Sequence, residues 1–180
     1  MNIFVGGAFN NDIPDIYKEM CKDYLEKVLV NNDLVFGGSN SGLMKVIYDT
    51  AVKCNSKITA ACPELFKDGL NQINVNEGIV TPTMIESTVC LFKKSDAFII
   101  LPGGIGTLYE LFNILQVTIC KEIDIPIIIY NPDHFYDGLI SMLEKMNEEN
   151  FISNKSLNLI HVSDNYQDTI DYINEKTNHV

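Results

Sequence analysis

The run Ala97-Phe98-Ile99-Ile100-Leu101, followed at once by Pro102-Gly103-Gly104-Ile105-Gly106-Thr107, constrains the fold of this chain more than any other segment. Five apolar residues without polar alternation predict a central parallel strand covered on both faces. Beyond the glycines, Leu108, Leu111, Phe112 and Leu115 recur at helical spacing. The segment therefore reads as strand, glycine turn, helix. Glycines let the backbone approach an anion closely, the first free N–H groups of the helix point at it, and the helix dipole favours its charge. Thr107 adds a hydroxyl donor. A tight turn without ligand is the plainer alternative. Three glycines and a threonine in this setting favour a phosphate site formed by Gly103, Gly104, Ile105, Gly106 and Thr107. The spacing is not G-x-G-x-x-G and no Walker lysine follows, so dinucleotide and P-loop readings are weak.

Strand and helix signals alternate along the rest of the chain. Ile3 to Val5 predicts a buried strand stopped by Gly6-Gly7. Pro14 suits a first helical turn, and Ile16, Tyr17, Met20, Tyr24 and Val28 continue that helix. Leu34 to Phe36 predicts a strand ending in Gly37-Gly38, and Leu43, Met44, Ile47 and Ala51 a helix. Ile58 to Cys62 is a third strand, closed by Pro63. Residues 64 to 83 predict a loop with a short strand near Ile73 to Val75, and Met84 to Lys94 a helix. Ile127 to Tyr130 is a strand, and Phe135, Leu139, Met142, Leu143 and Met146 make an amphipathic helix. Leu157 to Val162 is a last strand and Tyr166 to Ile173 a last helix. This rhythm predicts a Rossmann-like, three-layer, doubly wound parallel sheet in a single domain over residues 1–180. Such sheets bind ligands beyond the C-terminal ends of their strands, where Gly6-Gly7, Gly37-Gly38 and Gly103-Gly104 all fall.

Charge limits the partners. The formal net charge is -11, which argues against a nucleic-acid backbone but not against a small phosphate held by local N–H groups. All 13 basic residues are lysines, so any role needing a rigid bidentate guanidinium must be filled differently. Cys21, Cys54, Cys62, Cys90 and Cys120 are odd in number and contain no C-x-x-C pair, which fits reduced, mostly buried thiols of a cytoplasmic protein. The N-terminal apolar run is too short for a signal peptide, and no stretch approaches a membrane span.

Glu110 lies one helical turn beyond Thr107 and points toward the same mouth. It suits stabilisation of a ribosyl oxocarbenium ion or binding of ribose hydroxyls. It equally suits the plain role of an acidic residue in a first helical turn, and position alone leaves both open. Gly37-Gly38-Ser39-Asn40-Ser41 is a second glycine-rich turn, able to line the pocket or to be a turn capped by Ser41 or Asn40. Asp96 reads as a turn residue. His134 and His161 have no partner at metal or triad spacing, so no metal is expected. Glu144, Glu148 and Glu149 read as a solvated helix face.

These segments resemble the LOG (Lonely Guy) family, also called lysine-decarboxylase-like. The family's P-G-G-x-G-T-x-x-E is matched from Pro102 to Glu110, its Y-G-G-G-x-x-G-L-M-G by Phe36 to Lys45, its S-D-A-F by Ser95 to Phe98, and its N-x-x-x-Y-Y-D by Asn131 to Asp137. The resemblance implies a homodimer of Rossmann-like subunits that needs no cofactor and hydrolyses the N-glycosidic bond of a nucleoside 5′-monophosphate, a cytokinin ribotide or AMP, to free base and ribose 5-phosphate. It implies that Gly103 to Thr107 hold the phosphate, that Glu110 is catalytic, and that Gly6, Gly37, Gly38, Ser39, Met84 and Ser87 line the site. The chain departs from the family at three places. M-x-x-R-K is Met84-Ile85-Glu86-Ser87-Thr88, T-W-x-Q is Gln116-Val117-Thr118-Ile119, and the third glycine of Y-G-G-G is Ser39. A serine hydroxyl lacks the charge and forked donors of an arginine. Either a lysine such as Lys45 or Lys93 replaces that charge, or the protein binds a nucleotide or phosphorylated cofactor without turnover, as a sensor or carrier.

Overall fold

The computed structural model describes residues 1–177. Seven parallel strands form one sheet: β1 (Asn2–Gly6), β2 (Asp33–Phe36), β3 (Ile58–Pro63), β4 (Glu77–Thr81), β5 (Ala97–Ile100), β6 (Ile127–Tyr130) and β7 (Ile160–Ser163). Their spatial order is β4-β3-β2-β1-β5-β6-β7. The helices are α1 (Asp15–Val28), α2 (Gly42–Lys53), the single turn α3 (Lys67–Leu70), α4 (Met84–Lys93), α5 (Ile105–Ile119), α6 (Asp137–Glu148), the single turn α7 (Asn154–Leu157) and α8 (Tyr166–Thr177). Short 3₁₀ turns occupy Glu64–Phe66 and Pro132–His134.

Alternation along each strand divides the core in two. Ile3, Val5, Phe36 and Ile99 pack under α1, α2 and α8, while Phe4, Val35, Phe98 and Ile100 pack under α4, α5 and α6. Phe4 and Phe98, paired in register, stack with centroids 3.8 Å apart. This is the expected doubly wound, three-layer α/β fold. Strands β1 to β4 progress outward on one side and β5 to β7 on the other. The order therefore reverses between β1 and β5, the place where such sheets open a ligand crevice.

Three expectations shift. The strand placed near Ile73 to Val75 lies instead at Glu77–Thr81, paired to β3, because Ile73 and Val75 fill the core from an irregular segment. The stretch from Leu157 breaks into the turn α7 and the shorter β7. The N-terminus of α2 is capped from a distance, not by Ser41 or Asn40: Asn11 Oδ1 accepts the Gly42 N–H at 2.8 Å. Asp96 ties the edge of the β1–β5 pair by accepting the Asn2 N–H at 2.7 Å. Among the described residues no helix is long and apolar enough to cross a membrane.

Candidate functional site

Where the strand order reverses, the loops leaving β1 and β5 run side by side. Leu101 N–H donates to Gly6 O at 2.8 Å and Ala8 N–H to Pro102 O at 3.0 Å. Above them, bounded by the loops of β2 and β3 and by α4, opens a cavity of about 860 Å³.

The open end of α5 forms one wall. Gly104 is its N-cap in an extended conformation, without a side-chain cap, and the first helical bond runs from Leu108 N–H to Gly104 O. The amides before Leu108 have no intrahelical acceptor and carry the positive end of the helix dipole. Thr107 folds back under the loop so closely that a Cβ at Gly103 would sit 2.1 Å from its Oγ1. Gly103 is therefore fixed by space alone.

Glu110 follows one turn later, half-buried on the same wall. Helical side chains lean toward the N-terminus, which carries its carboxyl back toward the open amides. A Cβ on Gly6 would stand 2.7 Å from Glu110 Oε2, so the bare end of β1 makes the space in which the carboxyl lies. Burial pushes the Glu110 carboxyl up to about 8.

The facing wall carries Gly37, Ser39, Met84, Ser87 and Thr88. Ser87 donates to Ala61 O at 3.1 Å and Thr88 to Met84 O at 2.9 Å, so both hydroxyls are spent on backbone. The mouth is apolar, with Phe9, Leu65, Phe66, Ile105 and Phe135 all exposed on it.

The structure thus brings together Gly37, Ser39, Met84, Ser87, Gly103 to Thr107 and Glu110. It does not bring Gly6 or Gly38 to the wall. Gly6 lies beneath Glu110, and Gly38, at φ +70°, packs on Leu70 and Ala60. The expected replacement charge is also absent: Lys45 pairs with Asp49 at 2.8 Å, and Lys93 lies on the outer face of α4. Gln116 to Ile119 sit far along α5, off the cavity. His161 and His134 are not isolated: His161 is hydrogen-bonded to Asp168 at 2.7 Å and His134 Nδ1 lies 3.1 Å from Asp137 Oδ2, but neither reaches the cavity. All five cysteines are free. Cys120 is exposed rather than buried, and burial pushes the Cys21 thiol up to about 12, the reverse of activation. Sequence reasoning missed Phe9, Phe66, Asp68 and Phe135 on the cavity; their signal was position, since Phe9, Phe66 and Phe135 lie in the segments that leave β1, β3 and β6 at the ligand-bearing ends.

The molybdenum cofactor carrier protein of Chlamydomonas reinhardtii superposes with a TM-score of 0.71 at 15% identity, covering 98% of both chains. The molybdenum cofactor binding protein of Rippkaea orientalis does so with a TM-score of 0.69 at 21% identity, over 97% of this chain and 95% of that one. At these identities the likeness is one of fold. In sequence, cytokinin riboside 5′-monophosphate phosphoribohydrolase LOG4 of Arabidopsis thaliana is 34% identical over 75% of this chain and 63% of its own length. The phosphoribohydrolase of the same description from Mycobacterium tuberculosis is 33% identical over 76% of this chain and 74% of its own. Residues 44–173 match the family model described as possible lysine decarboxylase, and with these relatives the chain belongs to that family, the LOG family.

Proposed function

We propose that this protein hydrolyses the N-glycosidic bond of a nucleoside 5′-monophosphate, releasing the base and ribose 5-phosphate. The observation that carries the reading is the sharing of one cavity by the open N-terminus of α5 and the Glu110 carboxyl. The amides hold the phosphate without a lysine, and the sugar then lies over Glu110. As the C1′–N bond breaks, its electron pair leaves with the base and positive charge develops at C1′. The Glu110 carboxylate offsets that charge, a water adds to C1′ with its proton passing to Glu110, and Glu110 returns that proton to the departed base, so that neutral base and ribose 5-phosphate result. The names of the sequence relatives support the same chemistry.

The test is release of free base from AMP and from isopentenyladenosine monophosphate, read by chromatography. Glu110→Gln is expected to lower the rate about 100-fold or more with the fold intact; an active variant removes Glu110 from catalysis. Thr107→Val is expected to weaken nucleotide binding roughly five- to tenfold, and unchanged affinity removes the phosphate loop. Because the carboxylate is the working form, kcat/KM is expected to rise with pH up to about 8, where Glu110 titrates, and level off above it.

One observation favours a second reading. Ser87 stands at the family's arginine position with its hydroxyl bound to Ala61 O, and no lysine among the described residues lines the cavity. A site without a cation suits holding a nucleotide or phosphorylated cofactor without turnover. Binding of AMP with no release of adenine would establish that role.

We propose a homodimer as the assembly. α4 and α5 cover the same side of the sheet and expose Ile85, Val89, Phe112 and Ile119, an apolar surface suited to a second copy.

A further inference from the structure

An anion site normally recruits a cation, and this one has none. The chain contains no arginine, and among the described residues no lysine or histidine lines the cavity. Its acidic side chains are instead two carboxyls, Glu110 and Asp68. Asp68 forms no ion pair among the described residues, since the adjacent Lys67 turns outward to Glu64. Near Asp68 two exposed aromatic rings meet. Phe9, from the loop after β1, faces Phe66, from the turn after β3, with centroids 6.3 Å apart and planes inclined by 37°. Phe9 is 61% and Phe66 46% exposed, so both ring faces are accessible to a planar group entering the cavity. A planar ring needs about 3.5 Å on each side. A small rotation of either exposed ring therefore opens a slot of that width.

We infer that the preferred substrate is a nucleoside 5′-monophosphate whose base is a cationic N-linked heterocycle of the pyridinium kind. The phosphate sits on the amides of α5, and the cationic ring sits between Phe9 and Phe66 with Asp68 beside it. The inference rests on the N-glycosidase reading and deepens it. Ring faces attract a cation, and a carboxylate without a lysine partner adds to that attraction. The chemistry matches. A neutral purine leaves as an anion that must take up a proton, and no positively charged side chain among the described residues lines this wall to share that charge. A pyridinium needs neither. The C1′–N bond breaks, its pair moves to the ring nitrogen and neutralises it, and the base departs uncharged. Water oxygen bonds to C1′ and its proton passes to Glu110. The cationic ring in the cavity also favours the ionised form of Glu110. The missing arginine is then a consequence of the substrate carrying its own charge.

The experiment compares base release from nicotinamide mononucleotide, from its dihydro form, which has the same shape without the charge, and from AMP. The expected result is a kcat/KM for the pyridinium nucleotide at least tenfold above the other two, with Phe9→Leu and Asp68→Asn each lowering that ratio several-fold. Equal or faster hydrolysis of AMP overturns the inference and leaves the glycosidase reading standing. Release from none of the three overturns the glycosidase reading. Titration with the same nucleotides then decides the ligand class: tighter binding of the pyridinium form keeps it, and equal binding overturns it too.

Discussion

Gly6 shows how a residue without a side chain shapes this site. A methyl at its Cβ position would stand 2.7 Å from Glu110 Oε2 and 2.9 Å from the Phe4 ring. Gly6→Ala is therefore expected to displace the carboxyl and cut base release by more than tenfold while far-ultraviolet circular dichroism stays unchanged. Glu110 itself ties function to stability. Its folded-state value of about 8 lies above the ordinary 4.5, so between those values the folded protein holds a proton that the unfolded chain releases. Stability must then fall as pH rises through that window, being fully present below it and lost through pH 8. Thermal melts of wild type and Glu110→Gln are expected to diverge progressively from pH 5 to about 8, the variant losing less, and to run parallel above it. Glu110 was legible in the sequence because its tie to Thr107 is local, one helical turn. Gly6, expected on the wall, lies beneath Glu110, a neighbour 104 positions away in the chain that local patterning does not see.

At the scale of elements, the buried strands and the glycine turns were legible, since a continuous apolar run and a glycine pair carry their meaning without long-range help. The edge strand β4 was not. Its residues Glu77 to Thr81 are mostly exposed and gain strand form from pairing with β3, a long-range partner that propensity does not see. The same holds for the start of α2, capped by Asn11 across a separation of 31 residues. By contrast Thr83 and Glu86 form a reciprocal capping box on α4 within four residues. Asn11→Ala and Thr83→Ala are each expected to cost about 1 kcal/mol in urea denaturation. Both variants should also weaken nucleotide binding, because their neighbours Asn10 and Met84 line the cavity.

For the whole molecule, the doubly wound class was readable from alternation, with the glycine turns at the C-terminal strand ends, whereas the strand order and its reversal between β1 and β5 came only from the pairing of distant strands. The reach of lysines was not readable. Lys45 and Lys93 are close to the site in sequence terms, yet helix geometry turns one to Asp49 and the other to the outer face. That outer face gives a test of assembly: Ile85→Glu is expected to halve the mass seen by light scattering, and an unchanged dimer would place the interface elsewhere. The rim of the cavity is joined by main chain, Ala8 to Pro102 and Leu43 to Ala8, with Phe9, Asn10, Phe66 and Asp68 standing exposed upon it. A scaffold fastened in this way is evolvable. A library randomised at those four positions should keep most members folded, so ligand choice can drift across a lineage while the body beneath stays the same.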